Sequence, residues 1–388
     1  METTTFDVKA ARARFSSLRS GFAFLDAPGG TQVPDEVGKA IASALRDASG
    51  NLGAPYATGR AVEAILEGAR DDAARFLGCS PAEIAFGMNM TTLNFALTRA
   101  AGRDFAPGDE ILPTELDHDG GVAPWVELAA DRGLEHRIAA ATDDLTVDYD
   151  DLERKLNDRT RVVAFAMASN ATGSIADARR ICRLAREAGA LSWIDAVHYA
   201  AHEPIDVREL GCDVLLCSPY KFCGPHLGIA AVGRVQAERW RPYKARPSPS
   251  DPLGRRFETG TLPYELLAGF SATIGYLESL GGMRVLRAHE RELGEQLLAG
   301  LPAGVTLYGP QGMDGRVPTF LLNVDGVPAE QVARRLAEAG VGVWYADSWY
   351  CVALAERLPP QSLRVGLAHY TTAGEVDRFL AELARARP

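Results

Sequence analysis

Short apolar runs alternate along this chain with stretches in which apolar residues recur every three or four positions. The runs IAFG (84–87), DEILPTE (109–115), VVAFAMAS (162–169), ALSWIDA (190–196), DVLLCS (213–218) and GIAAVG (228–233) have the length and near-continuous hydrophobicity of buried strands. Between them, DARRICRLAREAG (177–189) has helical periodicity and ends on Gly189, a residue suited to a helix terminus. Strands alternating with helices predict an α/β fold with a mainly parallel sheet flanked by helices. Ligands of such sheets bind beyond the carboxyl ends of the strands, so residues that directly follow a strand matter most. After about residue 262 the texture changes. Residues 264–300 predict long helical material. A smaller α+β unit follows, with strands near 318–324, 341–345 and 362–367 and helices at 328–339 and 373–386. The pattern divides the chain into a large domain over 20–265 and a small one over 266–388, with residues 1–19 packing on the small one. The stretch 241–260, rich in Pro, Arg and Ser, is a loop that either marks a boundary or serves a site.

Composition narrows the function classes. The 388 residues are 47% hydrophobic and 24% charged, an ordinary globular balance, with a formal net charge of −10. An acidic chain argues against a nucleic-acid or anionic-membrane partner while leaving room for a local anion pocket. No apolar run reaches membrane-spanning length, and METTTFDVKAARARF lacks the apolar core of a signal peptide, so a soluble cytoplasmic protein is expected. The six cysteines, Cys79, Cys182, Cys212, Cys217, Cys223 and Cys351, form neither a disulfide framework nor a zinc spacing, and no metal is expected. Only five residues are lysine: Lys9, Lys39, Lys155, Lys221 and Lys244. Arginine cannot serve where a neutral amine must act as nucleophile, so lysine chemistry has few candidates.

Lys221 stands out, because it lies in SPYKFCGP between two apolar strands, where lysine is rarely placed without purpose. Asp195 ends the strand of WIDAVHYAAH; it is either a turn-capping residue or a carboxylate at the ligand edge. A strand-end lysine and a strand-end aspartate together match pyridoxal 5'-phosphate. Its aldehyde needs a lysine for a Schiff base, and its pyridine nitrogen needs a carboxylate to hold the proton that makes the ring an electron sink. A phosphate needs donors at a helix start, and FGMNMTTLNF supplies a strand, a turn and then Met90-Thr91-Thr92 opening a helix. His118, just past the strand at 109–113, is a candidate ring to lie against the cofactor. Asn170, in SNATG, is a third polar group at the same edge.

These pieces, in this order, resemble the class V aminotransferase family of pyridoxal-phosphate enzymes of fold type I, in its cysteine desulfurase-like branch. The resemblance runs from FLDAPGGTQVP (24–34) to LRVGLAHYTTAGEVDRFL (363–380). It implies a mainly parallel, seven-stranded type of sheet and a smaller α+β C-terminal domain. It also implies Lys221 as the Schiff-base lysine, Asp195 on the pyridine nitrogen and His118 stacked on the ring. By the same resemblance Asn170 and His198 approach the ring oxygen, Met90, Thr91 and Ser218 bind phosphate, and Tyr220 stands where many desulfurases have His. Arg364 resembles the arginine that forks onto the substrate α-carboxylate, with Gly30 and Asn170 beside it. In RRFETGTLP, Gly260-Thr261 resembles a loop that crosses a dimer interface to the partner's cofactor phosphate, which implies a homodimer.

The loop VWYADSWYCVALAERL (343–358) departs from the family. Desulfurases carry there a nucleophilic cysteine, framed by Gly and His, that takes sulfur as a persulfide. Here that position falls at Tyr350 or Cys351, and Cys351 is either a persulfide carrier or a packed apolar residue. The leading function is therefore desulfurase-like or C–S lyase chemistry on cysteine or an S-substituted cysteine, with any sulfur acceptor unidentified. Epimerisation or other chemistry on a specialised amino acid, and a catalytically silent dimer, are the alternatives.

Overall fold

The computed structural model of the chain describes residues 6–386. In chain order its strands are β1 (Ala23–Phe24), β2 (Ile84–Gly87), β3 (Glu110–Leu112), β4 (Glu135–His136), β5 (Thr160–Ala166), β6 (Leu191–Asp195), β7 (Val214–Cys217), β8 (Gly228–Val232), β9 (Val305–Tyr308), β10 (Thr319–Val324), β11 (Val341–Gly342), β12 (Trp344–Ala346) and β13 (Ser362–Gly366). Seven of them form one sheet in the order β2-β8-β7-β6-β5-β3-β4. β3 to β7 run parallel, and β8 is antiparallel to both neighbours. β2 therefore points the same way as the parallel strands. The carboxyl ends of β2, β3, β5, β6 and β7 share one edge.

Both faces of this sheet are covered, which is why its strands carry few polar residues. On one face Ala85, Val162, Trp193, Val214 and Val232 meet Leu93, Leu97, Trp125 and Leu128. These last four come from the helices Met90–Ala101 and Asp119–Arg132. On the other face Phe86, Val163, Phe165, Ile194, Leu215 and Ile229 meet Leu66, Ile181 and Phe270. The alternation of side chains along each strand thus feeds two separate cores.

The helical material at 264–300 is two helices, Tyr264–Ser279 and Met283–Gly300. Gly281 and Gly282 separate them with φ of 97° and 77°, values that side chains other than glycine rarely adopt. The first of these helices buries Leu267 and Phe270 in the same core as Phe86 and Leu215. Beyond it, β12-β13-β10-β9 form an antiparallel sheet. Phe320, Leu322, Val365, Val376 and Phe379 make its core together with Ala23 and Leu25 from the N-terminal segment. The expected run at 341–345 is split: β11 pairs in parallel with β1, and β12 pairs with β13.

The described start of the chain touches both parts: Ser16 donates to Asp35 of the helix Asp35–Asp47, and other contacts reach residues beyond 265. Arg12 forks onto Glu375 at 2.9 and 3.0 Å, and Phe15 packs against Tyr276 and Tyr370. Residues 1–5 of the segment expected to pack on the small domain lie outside the described residues. Among the described residues no helix is long and apolar enough to cross a membrane, and no cluster of His, Cys, Asp and Glu could hold a metal.

Candidate active site

Five strand ends converge on a cleft lined by Asn89, Met90, Thr91, His118, Ala166, Ala168, Asn170, Asp195, Val197, His198, Ser218, Tyr220 and Lys221. Nine of these residues were singled out in the sequence. After β2 the chain turns at Asn89, whose side chain caps the helix Met90–Ala101 by accepting from the Thr92 N–H at 2.8 Å. The Met90 N–H donates to Ser218 Oγ at 3.3 Å, which ties the end of β2 to the end of β7. The Thr91 N–H, in the first turn, has no intrahelical acceptor and is free to meet an anion. Gly228 of β8 lies beneath this turn. A Cβ there would stand 2.4 Å from the Asn89 carbonyl carbon, so only glycine allows the approach.

Asp195 and Lys221 stand at the ends of adjacent strands. Asp195 accepts from the Val197 N–H at 2.9 Å, and burial raises its pKa to about 6 against the opposing pull of that bond and of Lys221. Gly121 opens space beside it, since a Cβ there would lie 3.4 Å from Asp195 Oδ2. Burial lowers the Lys221 pKa to about 7, helped by the Arg364 charge and opposed by Asp195. Its Nζ donates to the Pro28 carbonyl and lies 4.6 Å over the Tyr220 ring. An amine half-neutral near pH 7 is what a carbonyl-capturing lysine requires.

The imidazoles are neutral. His118 is the N-cap of the helix Asp119–Arg132: its Nδ1 accepts from the Gly120 N–H at 2.9 Å, and burial with Lys221 and Arg364 lowers its pKa to about 4. Buried Asn94 holds this helix in place, donating to the Gly120 carbonyl at 3.0 Å and accepting from the Trp193 indole at 2.9 Å. His198 shares a 2.9 Å hydrogen bond with Thr319, and burial, then His202 and Lys221, push its pKa well down. Its Nδ1 is buried without a partner.

Arg364, on β13, is 5% exposed. Its guanidinium donates to the Asn170 carbonyl at 3.0 Å and lies 4.2 Å from the Trp349 ring centroid and 5.8 Å from that of Trp344. Burial lowers its pKa to about 10, so it stays charged at neutral pH. Gly30 packs against Tyr220: a Cβ there would meet the phenol ring at 3.3 Å. The Thr31 N–H donates to the Tyr220 carbonyl at 3.0 Å and so fixes the 28–31 segment over the lysine turn.

Arg364 and Gly30 stand beside the cleft rather than in its lining, and Cys351, Gly260 and Thr261 do not line it either. Cys351 is fully buried, its thiol donates to Asn170 Oδ1 at 3.0 Å, and burial raises its pKa to about 12. A thiol so held is a packed hydrogen-bond donor, not an exposed nucleophile. Gly260 and Thr261 are exposed and line a different, larger cleft with Asn51, Arg70, Glu258 and Tyr264. Sequence reading named Tyr350 only as the alternative to Cys351 in the loop, and missed its contact with His118. Tyr350 stacks on His118 at 5.3 Å between centroids and 18° between planes, and its carbonyl accepts from the Asp119 N–H at 2.6 Å. Trp344, Trp349 and the Pro28 carbonyl also belong to the surroundings; their segments were flagged, but not which residues face the chemistry.

The residues present fit pyridoxal phosphate. A cationic amine depressed toward neutrality, a buried carboxylate, a helix start with a free amide and an orphaned imidazole nitrogen offer partners for its aldehyde, ring nitrogen, phosphate and ring oxygen respectively.

The aminotransferase class-V family model matches residues 23–379. A probable cysteine desulfurase of Mycobacterium leprae is 33% identical, over 99% of this chain and 97% of its own length. One of Pseudomonas aeruginosa is 32% identical over 94% of each. Among solved structures, an apo cysteine desulfurase from Thermococcus onnurineus superposes with a TM-score of 0.91 at 23% identity, covering 98% of both chains, a likeness of fold. With the family model over nearly the whole chain and two such relatives, the chain belongs to the aminotransferase class-V family.

Proposed function

We propose that this chain is a pyridoxal 5'-phosphate enzyme that breaks the C–S bond of cysteine or an S-substituted cysteine by β-elimination. In balance, R–S–CH2–CH(NH3+)–COO− and water give R–SH, pyruvate and ammonium. The observation that carries this reading is a near-neutral Lys221 beside Asp195 in one cleft, while the loop cysteine is buried and held as a thiol. When bound, the cofactor supplies the sink for the electron pair left at the substrate α-carbon. Lys221 takes and holds the α-proton on Nζ. Arg364 forks onto the α-carboxylate beside Gly30 and Asn170. Asp195 pairs with the ring nitrogen and His118 lies against the ring. Asn170 and His198 serve the ring oxygen, and the Met90-Thr91 turn, Ser218 and Tyr220 serve the phosphate side.

In this proposal the active form is a homodimer in which exposed Gly260-Thr261 reaches the partner's phosphate; light scattering on the holoenzyme tests it. The decisive assay supplies S-methylcysteine and cysteine and measures thiol or sulfide, pyruvate and alanine. Pyruvate with equimolar thiol supports elimination. Kinship with probable cysteine desulfurases favours a second reading, desulfuration of cysteine, for which Cys351 is the candidate sulfur carrier. Alanine in place of pyruvate, lost in Cys351→Ala, would establish that reading instead. Protein that stays colourless with added cofactor would remove both.

A further inference from the structure

Three large apolar side chains between residues 344 and 352 remain at the surface: Trp344 is 52% exposed, Tyr350 70% and Val352 63%. Two of them flank the cleft. The Trp344 indole covers Gly29, 3.6 Å from where a Cβ would stand, next to the Pro28 carbonyl that receives Lys221. Trp344 is also the cross-strand partner of Arg364. Tyr350 stacks on His118, which lines the cleft. Trp349 and Tyr350 both have positive φ, 54° and 58°, a conformation that bulky residues adopt only when held. Here the Trp349 carbonyl accepts from Asn170 Nδ2 at 2.8 Å, its indole donates to Ser362 at 2.8 Å, and the Tyr350 carbonyl is bound by Asp119. The loop is thus fixed in the one shape that turns Cys351 inward and Tyr350 outward.

We propose that Trp344 and Tyr350 form the specificity wall of the site and select amino acids whose β-substituent is a neutral aromatic or bulky apolar thioether. The inference rests on the C–S lyase reading for the reaction but not for the binding preference. With the α-carboxylate on Arg364 and the α-amino group toward Lys221, the remaining substituent leaves the cleft between the indole and the phenol. Aromatic faces attract either rings or cations. The guanidinium of Arg364 already lies 5.8 Å from the Trp344 centroid and 4.2 Å from that of Trp349, so a second cation there meets a like charge. A neutral ring meets no such penalty.

The test compares S-benzyl-, S-methyl- and S-(2-aminoethyl)-L-cysteine with the holoenzyme. The kcat/KM for the benzyl thioether is expected to exceed that for the methyl by about tenfold or more, and the aminoethyl thioether to fall below the methyl. In Trp344→Ala and Tyr350→Ala the benzyl-to-methyl ratio is expected to fall toward one, a readout that a general loss of activity does not move. Independently of cleavage, quenching of tryptophan fluorescence gives the affinity for 2-amino-5-phenylpentanoate and for norvaline, the carbon isosteres of the benzyl and methyl thioethers. The aryl isostere is expected to bind about tenfold more tightly. Preferential binding of it without cleavage of any thioether would remove the lyase reading and keep the wall. Equal affinities, a ratio unchanged by both variants, or a preference for the aminoethyl thioether would overturn the wall.

Discussion

Exchanging Cys351 for serine and for alanine separates a packed thiol from a sulfur carrier. The native Sγ is buried and donates to Asn170 Oδ1 at 3.0 Å. Serine keeps a donor of nearly the same shape, whereas alanine leaves the acceptor unmet and a small void. Together the lost contacts and the weak hydrogen bond cost about 1–2 kcal/mol, which lowers Tm by roughly 1–4 °C in a chain of this size. At pH 8 a thiol with a pKa of about 12 is ionised to about one part in ten thousand, so a thiol-selective disulfide reagent should label it slowly in the native protein and rapidly after unfolding. Both variants should retain elimination of S-methylcysteine, serine within about threefold of the parent and alanine within about tenfold, because Sγ touches the site only by orienting Asn170. Fast stoichiometric labelling of native Cys351 with loss of activity, or activity abolished in both variants at unchanged Tm, would refute the assignment.

Other outcomes follow from the same geometry. Cofactor capture, followed by its absorbance change, needs neutral Lys221. With a pKa of about 7 the neutral fraction climbs from about a tenth at pH 6 to about nine tenths at pH 8, then levels off. A rate that keeps rising to pH 10 would mean an ordinary lysine. Arg364→Lys, which loses the fork but keeps the charge, should raise KM by roughly ten- to a hundredfold while cofactor affinity changes little; equal loss of both would make Arg364 structural. Glu258→Ala strands Arg70, paired at 2.6 Å with both side chains at most 5% exposed, and removes the acceptor of the Phe86 N–H. Urea unfolding should show a loss of about 3–5 kcal/mol. A change below about 1 kcal/mol would mean that water replaces the carboxylate.

Most of the candidate site was legible in the sequence because its residues follow strands. A short, doubly buried strand announces itself by an unbroken apolar run, and the first polar residues after it must stand at the sheet edge. That is why His118, Asn170, Asp195 and Lys221 were found one by one, with Ser218 added by the family resemblance, and then met around one cleft. The small unit was less legible. The apolar run at 341–345 gave no sign that β11 and β12 belong to different sheets, because that depends on which distant partners, β1 and β13, reach each half. The break in the helical stretch at 264–300 was visible only as two glycines, whose positive φ ends one helix and starts the next.

What the sequence determined by itself was the chemistry on offer: one lysine between strands, a carboxylate one strand away, and a helix start for an anion. What only the tertiary structure decided was which of two neighbours, Tyr350 or Cys351, lies exposed against His118 and which is buried. Adjacent side chains in an irregular loop point in different directions, so a shift of one residue exchanges inside for outside. The direction here is set by bonds to Asn170, Asp119 and Ser362, none of them local to the pair. Those bonds bury the thiol and expose the phenol, and on that exchange rests the proposed choice between moving sulfur and releasing it.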